Sequence, residues 1–255
     1  MVATPIGNLE DITLRAVEIL RASDLIACED TRHTGKLLAH HGIHRPTTSY
    51  HDFNEGKKAG ELMKKLAGGA RIALVSDAGT PTLSDPGYRL IRLCRESGVP
   101  VVPIPGPSAA IAALSVSGLP TDEFLFAGFL PSKTSARLQR LRELSASAST
   151  LVFYEAPHRI DATLTDMQEI LGDREVFVAR ELTKVHEQGL CGRLSEVRLR
   201  IKPLGEFVIV LRGAPAAAAP SLDLEGMSRN EALKAIAERL GVSRRHLYET
   251  LFRKG

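Results

Sequence analysis

Ile72-Ala73-Leu74-Val75-Ser76-Asp77-Ala78-Gly79-Thr80-Pro81-Thr82-Leu83-Ser84-Asp85-Pro86-Gly87 decides the fold. The first four residues are a short apolar run, the pattern of a strand buried in a parallel sheet. The next twelve are small, polar or turn-forming. Tyr88 to Arg95 then reads as an amphipathic helix, with Asp85 as its expected N-cap and Pro86 in its first helical position. This order places a long polar loop at the carboxyl end of a strand, where open α/β sheets bind ligands. The loop is longer, and richer in Asp, Gly, Ser and Thr, than a connection needs. Gly79 and Gly87 let backbone approach a ligand, and Asp77 offers a carboxylate to hydroxyls or an ammonium group.

The same grammar extends on both sides. Leu25–Ala27, Ile72–Val75 and Val101–Ile104 are expected strands, and Leu14–Ala22, Glu61–Ala67 and Ser108–Ser117 are expected helices, which together predict a parallel α/β sheet. Few residues precede Pro5, so a strand there is expected to be very short. Ser117-Gly118-Leu119-Pro120 breaks the pattern. Beyond it, strands are expected at Phe124–Phe129, Thr150–Tyr154, Val176–Ala179, Gln188–Gly192 and Phe207–Leu211. Helices are expected at Ser135–Leu144, His158–Ile170 and Ser195–Lys202. Glu187–Arg193 resembles a hairpin arm, so this second sheet is expected to be mixed. The expected division is therefore an N-terminal α/β domain over 1–117 and a second α/β domain over 118–213. An Ala/Pro linker over 214–225 and a helical tail over 226–255 follow. In the tail, Ser228 and Glu231 have capping-box spacing. A helix to Leu240, the turn Gly241–Ser243 and a helix over Arg244–Phe252 form a helix-turn-helix pattern.

Composition bounds the function. The chain has 255 residues, is 44% hydrophobic and 25% charged, and has no apolar run near the ~20 residues of a membrane helix. The N-terminus shows no signal-peptide pattern, and Cys28, Cys94 and Cys191 are too few and too scattered for a disulfide framework, so a cytoplasmic protein is expected. Net charge is +3, yet residues 226–255 hold seven Lys or Arg and three Asp or Glu, which is +4, leaving −1 for the other 225 residues. A basic tail is compatible with nucleic acid. His40, His41 and His44 cluster, but Gly42 interrupts them and no carboxylate or Cys accompanies them, so no metal site is expected. Neither Gly-x-Gly-x-x-Gly after a strand nor Gly-x-x-x-x-Gly-Lys-Ser/Thr occurs, which argues against dinucleotide oxidoreductases and P-loop NTPases.

Five ordered blocks carry a family resemblance: Val2–Ile12, Glu29–Arg32, the Asp77–Gly87 loop, Pro105–Ala109 and Tyr154–Arg159. Together they resemble the ribosomal RNA branch of the tetrapyrrole methylase superfamily, and the likeness continues to about residue 213. The resemblance implies a class III methyltransferase fold, S-adenosylmethionine as cofactor and a homodimer. It also implies 2′-O-methylation of a decoding-site cytidine in small-subunit (16S) ribosomal RNA. It makes Asp77, Ala78, Gly79, Thr80, Pro107, Ser108 and Ala109 cofactor candidates. Tyr154, Glu155 and Ala156 would close the cleft from the other domain, with Leu182 and Thr183 joining them at another strand exit. Ser108 is read first as a helix cap, with a hydroxyl aimed at the ligand as the alternative.

Methyl transfer to a ribose hydroxyl requires alignment, exclusion of water and a proton acceptor. Glu29, Asp30, Arg32 and Arg159 are the first catalytic candidates, because Glu29 and Asp30 follow the Leu25–Ala27 strand at the ligand end of its sheet. Glu155, Arg180, Glu181 and Lys184 come next. Arg32, Arg159 and Arg180 suit RNA phosphates. Two other functions fit parts of the chain. One is a precorrin-type tetrapyrrole methyltransferase, for which the basic tail has no use. The other is a non-enzymatic helix-turn-helix regulator, for which the polar strand-end loops have none.

Overall fold

The structure is a computed structural model that describes residues 1–215, 227–240 and 243. β1 (Leu25–Cys28) pairs in parallel with both β2 (Thr47–Ser49) and β3 (Ile72–Leu74), so the first sheet has the order β2-β1-β3. Around it lie α1 (Leu14–Ala22), α2 (Thr31–His40), α3 (Glu55–Ala67) and α4 (Tyr88–Glu96). Thr13 caps α1 by accepting the Ala16 N–H, and α1 buries Ala16, Val17 and Leu20 against the sheet. Val2 is threaded beside this sheet: its N–H donates to Leu74 O at 2.9 Å, and Ile104 N–H donates to Met1 O at 2.8 Å. The expected strand Val101–Ile104 is reduced to an isolated Val2–Ile104 bridge. Pro100 and Pro103 remove two backbone donors from that segment, which prevents a ladder.

A second correction concerns α4. Asp85 and Pro86 do not start it, because the N-cap is Gly87 at φ 137°. L side chains rarely adopt that conformation, and a Cβ there would meet Thr82 Cγ2 at 2.9 Å and Leu74 Cδ2 at 3.0 Å. The turn is thus made by Gly87, which frees the Asp85 side chain from capping.

α5 (Ala109–Val116) leads to the second sheet, which contains β4 (Phe124–Phe129), β5 (Thr150–Glu155), β6 (Glu175–Arg180), β7 (Gln188–Arg193) and β8 (Phe207–Leu211). Its order is β4-β5-β8-β6-β7, with β4 and β5 parallel and the other pairs antiparallel, a mixed sheet as the hairpin signal implied. Strand alternation sends side chains to two faces. Leu151, Phe153, Val178 and Ile209 pack under α6 (Thr134–Leu144), α7 (Ile160–Leu171) and α8 (Leu194–Arg200). Val152, Ala179, Val208 and Val210 pack against Ala110, Ala113 and Leu114 of α5. α5 therefore joins the second sheet, although it precedes the Ser117–Pro120 break. Both sheets belong to one compact unit, Met1–Ala214.

The remaining unit, Pro215–Gly255, contributes one described helix, α9 (Arg229–Leu240). The capping box is present: Ser228 N–H and Oγ–H donate to Glu231 Oε2 at 2.9 and 2.6 Å, and Glu231 N–H donates back to Ser228 Oγ at 3.4 Å. Leu233, Ile236 and Ala237 form its apolar cluster. The expected helix Arg244–Phe252, and most of the Ala/Pro linker, lie outside the described residues. No helix among the described residues is long and apolar enough to cross a membrane.

Candidate active site

Four loops converge where the two sheets meet. After β3, Thr4 and Gly79 exchange both backbone hydrogen bonds, at 2.9 and 3.0 Å, which ties the Pro5–Asn8 turn to the Asp77–Thr80 loop. Thr80 Oγ1–H donates to Pro107 O at 3.1 Å, adding the loop before α5. Asn8 N–H donates to Thr183 Oγ1 at 3.1 Å, adding the loop after β6. Gly7 makes that last contact possible, since a Cβ there would lie 2.5 Å from Lys184 Cγ and 2.8 Å from Leu182 O. The loops thus form one clamp between the sheets, built from backbone groups that would otherwise lack partners.

The clamp walls a cavity of about 360 Å³. Of the sequence candidates, Asp77, Ala78, Gly79, Thr80, Ser108, Ala109, Tyr154, Glu155, Ala156 and Leu182 line it together. Lys184 does so as well. Pro107 and Thr183 stand behind the lining as hydrogen-bond partners. Ser108 occupies the N-cap position of α5 without a side-chain capping bond, and its hydroxyl is instead a hydrogen-bond partner of Tyr154. Tyr154 accepts the Ala110 N–H at 3.3 Å and meets Phe126 and Phe129 edge-on at 5.0 and 5.6 Å. Burial raises the Tyr154 phenol pKa, which keeps it neutral.

The first catalytic candidates lie elsewhere. Glu29, Asp30, Arg32 and Arg159 do not line the cavity. Asp30 is the N-cap of α2: its Oδ1 accepts the Arg32 N–H at 2.8 Å, and its Oδ2 pairs with Arg32 Nη2 at 2.8 Å. That hydrogen bonding holds its carboxyl well below the usual range. Its own N–H donates to Asp77 Oδ1 at 3.0 Å, so Asp30 supports the cavity wall from behind. Arg32 is 89% exposed. Arg159 turns inward, donating to Leu130 O at 2.7 Å and to Glu155 Oε2 at 3.3 Å. Glu29 has its pKa raised by burial and then by Asp77 and Asp52.

Several lining residues were not read as site residues, among them Ile6, Leu83, Asp85, Phe129, Glu206 and Val208. Asp85 is the most perturbed: its pKa is pushed up to about 7, first by burial and then by Glu29 and Asp77. The cavity volume falls in the range of small-ligand sites, about 300–1,000 Å³. Asp77, Asp85 and Glu206 on its wall suit a ligand of net positive charge, and the wall of Ile6, Leu83, Phe129 and Val208 suits a flat apolar ring. S-adenosylmethionine, a sulfonium cation carrying a purine, has both features.

Two α/β sheets with a cavity clamped between their loops give the setting of a small-molecule site. Residues 1–198 match the model of Tetrapyrrole (Corrin/Porphyrin) Methylases, and the chain belongs to that family. Among its relatives, Ribosomal RNA small subunit methyltransferase I of Vibrio cholerae is 54% identical over 221 residues, covering 84% of this chain and 76% of that protein. The Synechocystis protein of the same name is 49% identical over 265 residues, covering 98% and 95%. Uroporphyrin-III-C-methyltransferase from Thermus thermophilus shares the fold at TM-score 0.59 and 21% identity, covering 82% of this chain and 91% of that one. A diphthine synthase does so at TM-score 0.61 and 15% identity, covering 83% and 88%. At these identities the two structures speak for fold alone.

Proposed function

We propose that this chain methylates the 2′-hydroxyl of a decoding-site cytidine in small-subunit ribosomal RNA, using S-adenosylmethionine. The observation that carries the reading is the cavity, walled by carboxylates and aromatic side chains, that loops from both sheets enclose. The relatives named for ribosomal RNA point to the substrate. When bound, the cofactor supplies an electrophilic methyl group on a good leaving group. Asp77–Thr80, Pro107–Ala109, Tyr154–Ala156, Leu182 and Thr183 hold it, with Asp77 taking its ammonium or hydroxyl groups. The N-terminus of α5, at Ser108 and Ala109, suits its carboxylate. Phe129 and Leu83 exclude water from the reacting oxygen. Among the catalytic candidates, Arg32 at the exposed start of α2 serves RNA phosphate, and Asp30 orients it. Glu29 adds negative field behind Asp77. Arg159 acts through Glu155 rather than on substrate. A homodimer is part of the same proposal.

Radiolabelled S-adenosylmethionine tests this reading with two acceptors, small ribosomal subunits lacking the modification and a precorrin-type tetrapyrrole. Label recovered as 2′-O-methylcytidine after nuclease digestion is the expected result. Label on the tetrapyrrole, with none on RNA, overturns it.

A further inference from the structure

Four carboxylates line the cavity, and three already have a backbone or cationic partner. Asp77 accepts the Asp30 N–H at 3.0 Å. Glu155 accepts from Ala156 N–H at 2.9 Å, from Thr163 Oγ1–H at 2.6 Å and from Arg159 at 3.3 Å. Glu206 pairs with Lys184 at 2.8 Å. Asp85 is different. Its carboxylate has the Ser76 hydroxyl as a hydrogen-bond partner and faces the carboxylates of Glu29, Asp77 and Asp52, with the Tyr154 phenol nearby and no cation beside it among the causes of its shift. Lys184 lines the same cavity but is occupied by Glu181 and Glu206.

The backbone that presents Asp85 is strained. Thr82 and Ser84 adopt left-handed φ of 75° and 66°, and Gly87 follows at 137°. Non-glycine residues hold such angles at a cost that surrounding structure must offset, and they concentrate at functional sites. Here the support comes from the other sheet. The Ser84 hydroxyl lies against Gly128, where an added Cβ would come within 2.9 Å of it. Gly128 sits at a register shift in the β4–β5 pairing. The irregular strand makes room for the loop, and the loop carries Asp85 to the wall formed by Phe129 and Tyr154.

We propose that Asp85 is the catalytic base: its carboxylate takes the proton of the ribose 2′-hydroxyl as the oxygen bonds to the methyl carbon and the carbon–sulfur bond breaks. The bond electrons leave on sulfur, the cofactor departs as a neutral thioether, and protonated Asp85 returns its proton to solvent. A carboxylate that titrates near pH 7 is matched to this task, because it is a stronger base than an ordinary Asp and is still about half ionised in neutral solution. The step rests on the RNA 2′-O-methylation reading above.

The test combines Asp85→Asn and Asp85→Glu with three measurements: cofactor affinity by calorimetry, single-turnover methyl transfer to small subunits across pH, and carboxyl-carbon NMR titration of the ligand-free protein. In the wild type we expect the rate to rise about tenfold per pH unit to a bend below the free protein's midpoint, because the bound sulfonium favours the ionised carboxylate. In the ligand-free protein one carboxyl resonance titrates near pH 7 and is absent from Asp85→Asn. That variant loses ~10²–10⁴-fold in rate with a much smaller fall in cofactor affinity, and Asp85→Glu recovers part of the loss in rate. A wild-type rate in Asp85→Asn overturns the proposal, as does a loss of cofactor affinity that matches the loss of rate. If Asp85→Asn does not fold, the wild-type titration decides, and a midpoint below about pH 5 overturns the assignment. Wild-type protein that binds cofactor but labels no RNA instead refutes the substrate reading, and the step falls with it.

Discussion

Glu155 ends β5 with its side chain fully buried, and Arg159, 18% exposed, is the cation that balances it. Removing one partner of such a pair strands the other charge in the core, at a cost of about 3–5 kcal/mol. Arg159→Ala is therefore expected to lower stability by about 3 kcal/mol in urea denaturation, and an unchanged midpoint would refute this role. Asp85 makes the opposite prediction. Its folded pKa, about 7, lies above the unfolded value near 3.8, so between those values the native state binds more protons than the unfolded one. Stability must then fall as pH rises through that window. Asp85→Asn removes the penalty and should melt above wild type at pH 8, with little difference at pH 4. The gain is on the order of 1 kcal/mol, discounted for the solvent that screens a partly exposed carboxylate. Calorimetric melts at both pH values check the sign. Asp77→Ala should weaken S-adenosylmethionine by about 1–3 kcal/mol, the cost of a lost charge-assisted hydrogen bond. Unchanged affinity in titration calorimetry, with the fold intact, would remove Asp77 from the cofactor site.

The Pro5–Asn8 turn holds the first-sheet loops to the loop after β6, and Gly7 is its tightest point. A Cβ there would sit 2.7 Å from Thr183 Oγ1 and 2.8 Å from Leu182 O, and a backbone carbonyl cannot move aside as a flexible side-chain end can. Gly7→Ala should therefore cost about 1–3 kcal/mol as overpacking does, and it should weaken cofactor binding by displacing Leu182 from the wall. A variant with wild-type melting temperature and affinity would show that the clamp is loose. The same elements explain what could be read beforehand. α1 and β4 were legible to their end residues, because one has a regular apolar stripe and the other an unbroken apolar run. α2 was not, since Thr31–His40 is polar, contains Gly35 and buries little beyond Thr34, Leu37 and Leu38. Its cap, Asp30, therefore shows no capping role in the sequence and stands there only as a candidate proton acceptor at a strand end. β2 is Thr47-Thr48-Ser49, too short and polar to show a period. The loops after β3 and before α5 announced themselves through contiguous Gly, Pro, Ser and Asp. Phe129, Glu206 and Val208 reach the cavity only through the pairing of β4, β5 and β8, which no local pattern encodes. Asp85 had a plausible local role as a cap, and only the left-handed Gly87 shows that the cap is placed elsewhere.

At the scale of the whole molecule, charge is spread unevenly along the chain. The cavity wall is acidic, as a sulfonium ligand requires, yet its proposed substrate is a polyanion. Phosphate must therefore be drawn by surface away from that wall. The last thirty residues carry seven Lys or Arg and three Asp or Glu, while the preceding 225 sum to −1. Every described residue that lines the cavity belongs to the Met1–Ala214 unit, and the Pro215–Gly255 unit carries seven Lys or Arg against five Asp or Glu, with the two extra acids at Asp223 and Glu225 ahead of the basic stretch. Deleting residues 216–255 should thus leave cofactor affinity within about twofold of wild type, because no described lining residue is lost. It should weaken binding to ribosomal RNA or the small subunit and flatten its salt dependence. Each phosphate contact removed takes about 0.7–0.9 from the slope of log affinity against log salt, so losing only three of these cations as contacts lowers the slope by about 2. Filter-binding titrations at several salt concentrations, on the full chain and the truncated one, measure both quantities. Equal affinities and equal slopes would make the tail irrelevant to RNA and send the search for the phosphate-binding surface back to Arg32 and the exposed start of α2.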